Sequence, residues 1–194
     1  MSDSYQALID WDATAQTASA LADRAIGALI EQNIILADPN PDCVLGTNGY
    51  PPGPALRGLY DLGEHECCYW DLATNGVEVT VGRWINMFAI PMLEWIVCPH
   101  CEAKYRLERQ FGDRFGEEIG RWLKEYETSA IVCESCGEGS RVDKGQAKPH
   151  LGFSILTFQF WNWPSLNAPT WKIDLPDVLS AALGHGLTHT WGRL

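Results

Sequence analysis

Two Cys-x-x-Cys pairs constrain the fold of this chain more than any other feature of its sequence. The first is Cys98-Pro99-His100-Cys101 and the second is Cys133-Glu134-Ser135-Cys136. A Cys-x-x-Cys turn places two sulfur atoms on one side of a tight loop, so both can reach one ion about 2.3 Å away. Two such turns supply the four tetrahedral ligands that Zn²⁺ prefers and leave no open position for a substrate. The pattern therefore predicts a structural zinc site formed by Cys98, Cys101, Cys133 and Cys136.

The residues around the two pairs resemble the knuckles of zinc ribbons. This resemblance rests on residues 97–101 and 132–137 and covers only the segment 97–137. Between Cys101 and Cys133 lie 31 residues, whereas the usual spacer has about 15–20. A helix predicted over residues 111–127 accounts for the extra length. Sulfur ligands suit iron as well as zinc, so the pattern leaves the identity of the metal open.

Redox-active dithiols are the main alternative interpretation of the two pairs. Redox Cys-x-x-Cys motifs open a helix in a βαβ context, and neither pair in this sequence does so. Redox proteins also seldom need two such pairs. We therefore favour the metal site, which should contribute directly to folding.

Periodicity predicts an α+β chain. Apolar residues at three- and four-residue spacing predict helices over 13–32, 111–127 and 176–183. Strands are predicted over 67–72, 77–85, 88–97 and 152–161, the first two joined at Asn75-Gly76. We expect one domain over 1–194: a small antiparallel sheet, an N-terminal helix, and an integrated zinc-binding subdomain (97–137) that carries the inserted helix.

Negative charge is concentrated before the first cysteine pair. The net charge is −11, and residues 1–97 hold 13 acidic and 3 basic side chains. Such a field repels phosphate backbones and steers basic partners toward the protein, although acidity also serves solubility alone. We predict a basic protein partner, with nucleic acid disfavoured. No signal peptide or long apolar run is visible, which predicts a cytoplasmic protein without membrane contact.

A second group of residues is weaker as a chemical signal. His185 and His189 stand four apart, but two glycines weaken a helix there, and a polar C-terminal tail is the better interpretation. The 38–71 region, with His65, Cys67 and Cys68, is the place where an enzyme site would lie. Cys43 has no evident partner.

Tryptophans are unusually frequent, with 9 in the chain. Most strand aromatics pack in cores, but Trp is also enriched at interface hot spots. The candidate interface residues are acidic or aromatic: Asp61, Glu64, Glu66, Trp161, Trp163 and Trp171.

The sequence thus predicts a non-catalytic zinc-binding protein that acts by protein–protein interaction, for example as an acidic inhibitor or immunity-type protein of a basic partner. The alternatives are a nucleic-acid-associated zinc ribbon and an enzyme with its site in the 38–71 region.

Overall fold

Helices and small antiparallel sheets together form an α+β fold in the computed structural model of the chain. The structure describes residues 3–46, 48–61, 72–106, 109–124, 130–144, 146–148 and 150–194. The chain divides into two compact units, which we call the sheet unit (Met1–Gly82 with Ser154–Leu194) and the knuckle unit (Arg83–Phe153). The predicted subdomain 97–137 lies inside the second unit; the expectation of one domain stays a prediction.

A five-stranded sheet in the order β10-β1-β9-β3-β2 organises the sheet unit. β1 (Ser4–Asp10) lies between β9 (Ser154–Trp161) and β10 (Leu187–Arg193) and is antiparallel to both. β3 (Gly76–Trp84) and the short β2 (Gly49–Tyr50) follow on the β9 side. Because β1 is a central strand, four successive residues at its end are buried, which removes the alternation that normally marks a strand.

Two helices cover this sheet with their apolar faces. α1 (Ala18–Glu31) and α4 (Leu175–Leu183) contact each other, and their leucines join Leu8, Phe158 and Phe160 in one buried cluster. Burial of each such large side chain contributes about 1.5–3 kcal/mol. α2 (Leu56–Leu59) adds a single turn to the same cluster.

Asp174 and Gly184 determine the two ends of α4. The carboxylate of Asp174 accepts a hydrogen bond from the backbone N–H of Asp177 at 2.9 Å, and Gly184 ends the helix with φ of 76°. The start of α1 differs from the predicted start at residue 13. The helix starts after Thr17 rather than Asp12, because the buried Asp10 carboxylate accepts the N–H groups of Asp12 and Ala13 at 2.9 and 3.0 Å.

The knuckle unit contains two small sheets and one long helix. β4 (Trp95–Val97) lies between β5 (Lys104–Arg106) and β8 (Gln146–Lys148), and β6 (Ala130–Val132) pairs with β7 (Gly139–Arg141). α3 (Arg109–Leu123) packs Phe115, Ile119 and Trp122 into a core with Phe153. At the end of α3, Arg83 stacks on Trp122 and donates a hydrogen bond to its carbonyl at 2.6 Å.

Several sequence expectations require correction. Residues 88–97 are not one strand: Met87–Met92 forms a 3-10 helix around Pro91, and only Trp95–Val97 is extended. The C-terminal segment is strand β10 rather than a polar tail. The predicted strand 67–72 falls almost wholly outside the described residues, whereas its predicted hairpin partner, 77–85, corresponds to β3. No helix in the described ranges has the length and apolar run needed to cross a bilayer.

Candidate metal centre

Each cysteine pair occupies the turn of a short antiparallel hairpin. β4 ends at Val97, directly before Cys98, and β5 carries the chain away after Ala103. In the same way β6 ends at Val132, directly before Cys133, and β7 begins at Gly139. The extended pairing on either side fixes the two ends of each turn, so the cysteines are presented at the tip.

The two turns have the same backbone hydrogen bonds at equivalent positions. In the first, the N–H of Cys98 donates to the carbonyl of Ala103 at 2.9 Å, and the N–H of Glu102 donates back to Cys98 at 3.0 Å. In the second, Cys133 donates to Glu138 at 2.9 Å, and Gly137 donates to Cys133 at 2.8 Å. We call residues 98–103 the first knuckle and residues 133–138 the second.

One position in each knuckle has a left-handed backbone. It is occupied by Glu102, with φ of 60°, in the first knuckle and by Gly137, with φ of 76°, in the second. A side chain at such a position costs about 1–2 kcal/mol, which glycine avoids. The first knuckle therefore retains a conformational strain that the second does not have.

The four sulfur atoms converge on one point. The Sγ atoms of Cys98 and Cys136 are 3.9 Å apart, and those of Cys101 and Cys133 are 3.6 Å apart. All four lie within 4.8 Å of one another. Four sulfurs at about 2.3 Å from a tetrahedral ion would be about 3.8 Å apart. The four cysteines are thus positioned to bind a metal ion, and their spacing fits zinc.

Two of the cysteines are buried and two face solvent. Cys98 and Cys133 are 5% and 4% exposed, whereas Cys101 and Cys136 are exposed. Beside the buried pair, the apolar side chains of Ile96, Phe115 and Val142 line a small space shared with the sulfurs. The inner half of the centre therefore rests on the core of the knuckle unit.

The electrostatics of the cluster favour a cation. A hydrogen bond from the Tyr105 hydroxyl is the largest influence on Cys133 and lowers its pKa to about 6. At Cys136 the backbone N–H of Glu138 acts to lower the pKa, but the Cys133 sulfur, burial and the remaining sulfurs together raise it to about 12. Without a cation the neighbouring thiols therefore resist joint ionisation. A divalent ion removes that conflict because a coordinated thiol is deprotonated outright.

Tyr105 is a residue of this centre that the sequence interpretation missed. Its hydroxyl lies 2.7 Å from the Sγ of Cys133, and it accepts the N–H of Ser135 at 3.0 Å. A tyrosine four residues after the second cysteine of a pair, in the strand leaving the turn, is the sequence signal that could have indicated it.

His185 and His189 do not share a site. The Nδ1 of His185 lies 2.9 and 3.0 Å from the two carboxylate oxygens of the fully buried Asp10. His189 lies in β10, with its Nδ1 3.1 Å from the side-chain nitrogen of Asn167. Ligand atoms of Asp10, Asp12 and His185 lie within 4.8 Å of one another, and Asp10 joins this group through hydrogen bonds with the His185 ring and the Asp12 N–H.

The candidate interface tryptophans are mainly core residues. Trp161 and Trp163 are each 4% exposed. Trp161 donates from its indole N–H to Glu78 at 2.9 Å, and Trp163 packs edge-to-face against Phe160 and stacks on Trp171. Only Trp171 of the three is partly exposed. Burial therefore removes Trp161 and Trp163 from any surface contact.

The remaining candidates lie mostly within residues 62–71, which are not among the described residues. Asp61 is exposed, whereas Glu64, His65, Glu66, Cys67 and Cys68 fall outside the described residues. Cys43 is buried, with its Sγ 3.1 Å from the carbonyl of Asn40, which indicates a structural role.

Comparison with models of known protein families, with curated proteins and with solved structures finds no match to this chain.

Proposed function

We propose that the chain is a non-catalytic zinc protein that acts by binding a basic protein partner, in the manner of an acidic inhibitor or immunity-type protein. The observation that carries the proposal is the convergence of four thiolates on one point. Four protein ligands complete the tetrahedral coordination of Zn²⁺, so a substrate or water has no position on the ion. The zinc is then structural: it holds the two knuckles together.

Zinc is the metal we assign, with iron as the alternative that four sulfurs also accept. Metal analysis of the purified protein distinguishes them, because iron bound to four thiolates is coloured and zinc is not. Free thiols persist in a reducing compartment, which supports a cytoplasmic location.

The two units differ sharply in charge, and this supports a basic partner. The sheet unit has 14 acidic and 4 basic side chains, a net charge of −10, whereas the knuckle unit has 11 acidic and 10 basic, a net charge of −1. The metal centre therefore lies in the nearly neutral unit, and the charged surface belongs to the other. An acidic field of this kind accelerates association with a cationic partner at low salt.

Nucleic acid is a weaker candidate because several cations of the knuckle unit are already paired. Arg114 lies 2.7 Å from Glu134, Arg121 lies 3.0 Å from Glu118, and Arg141 lies 2.8 Å from Asp143. Phosphate binding depends on cations that are available to replace counterions. These three arginines would have to break an existing ion pair first.

The test is a pull-down with mass spectrometry at low and high ionic strength, using the zinc-loaded protein. We expect a basic protein that is recovered at low salt and lost at high salt. Recovery of RNA or DNA instead would favour the zinc-ribbon alternative, and recovery of no partner at low salt would refute the proposal.

A matched pair of charge variants locates the binding surface. Asp23→Asn with Glu31→Gln neutralises two exposed carboxylates on α1 in the sheet unit, and Asp113→Asn with Glu117→Gln does the same on α3. Both variants change the net charge equally. We expect only the α1 variant to slow association with the recovered partner; equal effects would refute the role of the sheet unit.

A further inference from the structure

We propose that Tyr105 is a positioning residue of the metal centre: its hydroxyl fixes Cys133 as a ligand and joins the first hairpin to the second. This inference rests on the metal-binding part of the proposed function and is independent of the partner. Tyr105 lies in β5, which leaves the first knuckle, while the atoms that it contacts belong to Cys133 and Ser135 in the second.

The direction of both hydrogen bonds follows from the donors available. The backbone N–H of Ser135 can only donate, so the Tyr105 oxygen accepts at 3.0 Å. The single hydroxyl proton of Tyr105 can then be directed at the Cys133 sulfur, 2.7 Å away. One hydroxyl thus serves as acceptor and donor between two segments that are 28 residues apart. It can align the knuckles before a metal ion arrives.

The four sulfurs consequently differ in their environment. Cys133 receives the Tyr105 hydroxyl and also the N–H of Cys136 at 3.4 Å. Cys98 receives the N–H of His100 at 3.4 Å. The exposed Cys101 and Cys136 receive backbone hydrogen bonds from Ala103 and Glu138, but among the described residues neither has a side-chain donor other than a thiol. Cys133 is therefore the most strongly supported ligand.

Hydrogen bonds to a thiolate have two chemical consequences. They withdraw electron density from the sulfur, which stabilises a centre where four thiolates leave an excess of negative charge around a divalent ion. They also orient the sulfur lone pairs toward the metal. Outer-shell partners of metal ligands typically change metal affinity by about 10–100-fold, and hydrogen bonds to sulfur raise the reduction potential of iron–sulfur centres.

The test is Tyr105→Phe, which removes the hydroxyl and keeps the ring. Tyr50→Phe, a partly buried tyrosine of the sheet unit, is the matched control. We expect Tyr105→Phe to weaken zinc affinity by about tenfold in competition with a chromophoric chelator, and Tyr50→Phe to leave it unchanged. In the iron-substituted protein we expect Tyr105→Phe to lower the reduction potential, which a purely structural role of the ring would not do.

A measurement on the wild-type chain covers the case in which the variant fails to fold. With the NMR-active isotope of cadmium at the centre, the Tyr105 hydroxyl proton should show scalar coupling to the metal through the Cys133 sulfur. Absence of that coupling, or wild-type affinity and potential in Tyr105→Phe, would overturn the inference. If the wild-type chain itself binds no zinc, it is instead the proposed function that fails.

Discussion

Glu102 occupies a backbone conformation that its structural counterpart, Gly137, adopts without strain, so Glu102→Gly should strengthen metal binding. The left-handed conformation costs a residue with a side chain about 1–2 kcal/mol. Glycine recovers that cost but adds about 0.4–1 kcal/mol of conformational entropy to the unfolded chain. The net gain is about 0.5–1 kcal/mol. Because the knuckle forms around the metal, the gain should appear as a two- to fivefold increase in zinc affinity.

The second knuckle provides the reciprocal substitution. Gly137→Ala places a Cβ atom at a position with no atom within 4 Å, so its cost is conformational rather than steric. We expect it to weaken zinc affinity by a similar factor. The opposite signs of two substitutions at equivalent positions test the reasoning more strictly than either alone.

Competition with a chromophoric chelator measures both affinities, and Glu102→Gln separates charge from conformation. Glutamine removes the negative charge near the thiolates but keeps the side chain and its strain. If Glu102→Gln reproduces the full gain of Glu102→Gly, the effect is electrostatic and the conformational argument fails. The argument also fails if Glu102→Gly and Gly137→Ala shift the affinity in the same direction.

Three further predictions concern the metal, a helix cap and pH. Cys98→Ser or Cys136→Ser should give an insoluble or partly unfolded protein, because a structural metal contributes directly to folding; wild-type metal content and stability in either variant would contradict the assignment. Asp174→Ala should cost about 1 kcal/mol and lower Tm by about 2–4 °C, since it removes the hydrogen bond to the N–H of Asp177; an unchanged melting curve would contradict it. Burial lowers the pKa of His189, so the unfolded chain takes up its proton first as the pH falls below about 6.5, and stability decreases there. In urea unfolding, His189→Gln should lose less free energy of unfolding than the wild type between about pH 7.5 and about pH 5.5. An unchanged pH dependence would refute this prediction.

The cluster of four cysteines and three helices could be predicted because their signals are local. A Cys-x-x-Cys turn is specified within four residues, and the capping signals of α4 stand next to the helix that they end. The helical period of α3 is equally visible in the sequence. In each case, the residues that determine the element are also the residues that form it.

The sheet was harder to predict because its pairing is not local. β1 pairs with β10 across nearly the whole chain, Leu8 lying opposite His189. A central strand that is buried on both faces shows no alternation of apolar and polar residues. The threonines and the histidine of β10, considered without their partner strand, suggest a polar tail. The apolar run 88–97 was predicted as one strand, but Pro91 lies within a 3-10 helix. Tyr105 was missed because its role depends on a sulfur in another hairpin.

The arrangement of the two knuckles also has a topological consequence. A metal bound by both turns ties Cys98 and Cys101 to Cys133 and Cys136, and so closes a ring of chain that contains α3. The ion then acts as a reversible cross-link, comparable to a disulfide in limiting the unfolded chain. After a single cut of the backbone between α3 and β6, the metal would still join the two fragments through the knuckles, in addition to the pairing of β1 with β9 and β10. A chelator would remove the first connection and leave the second.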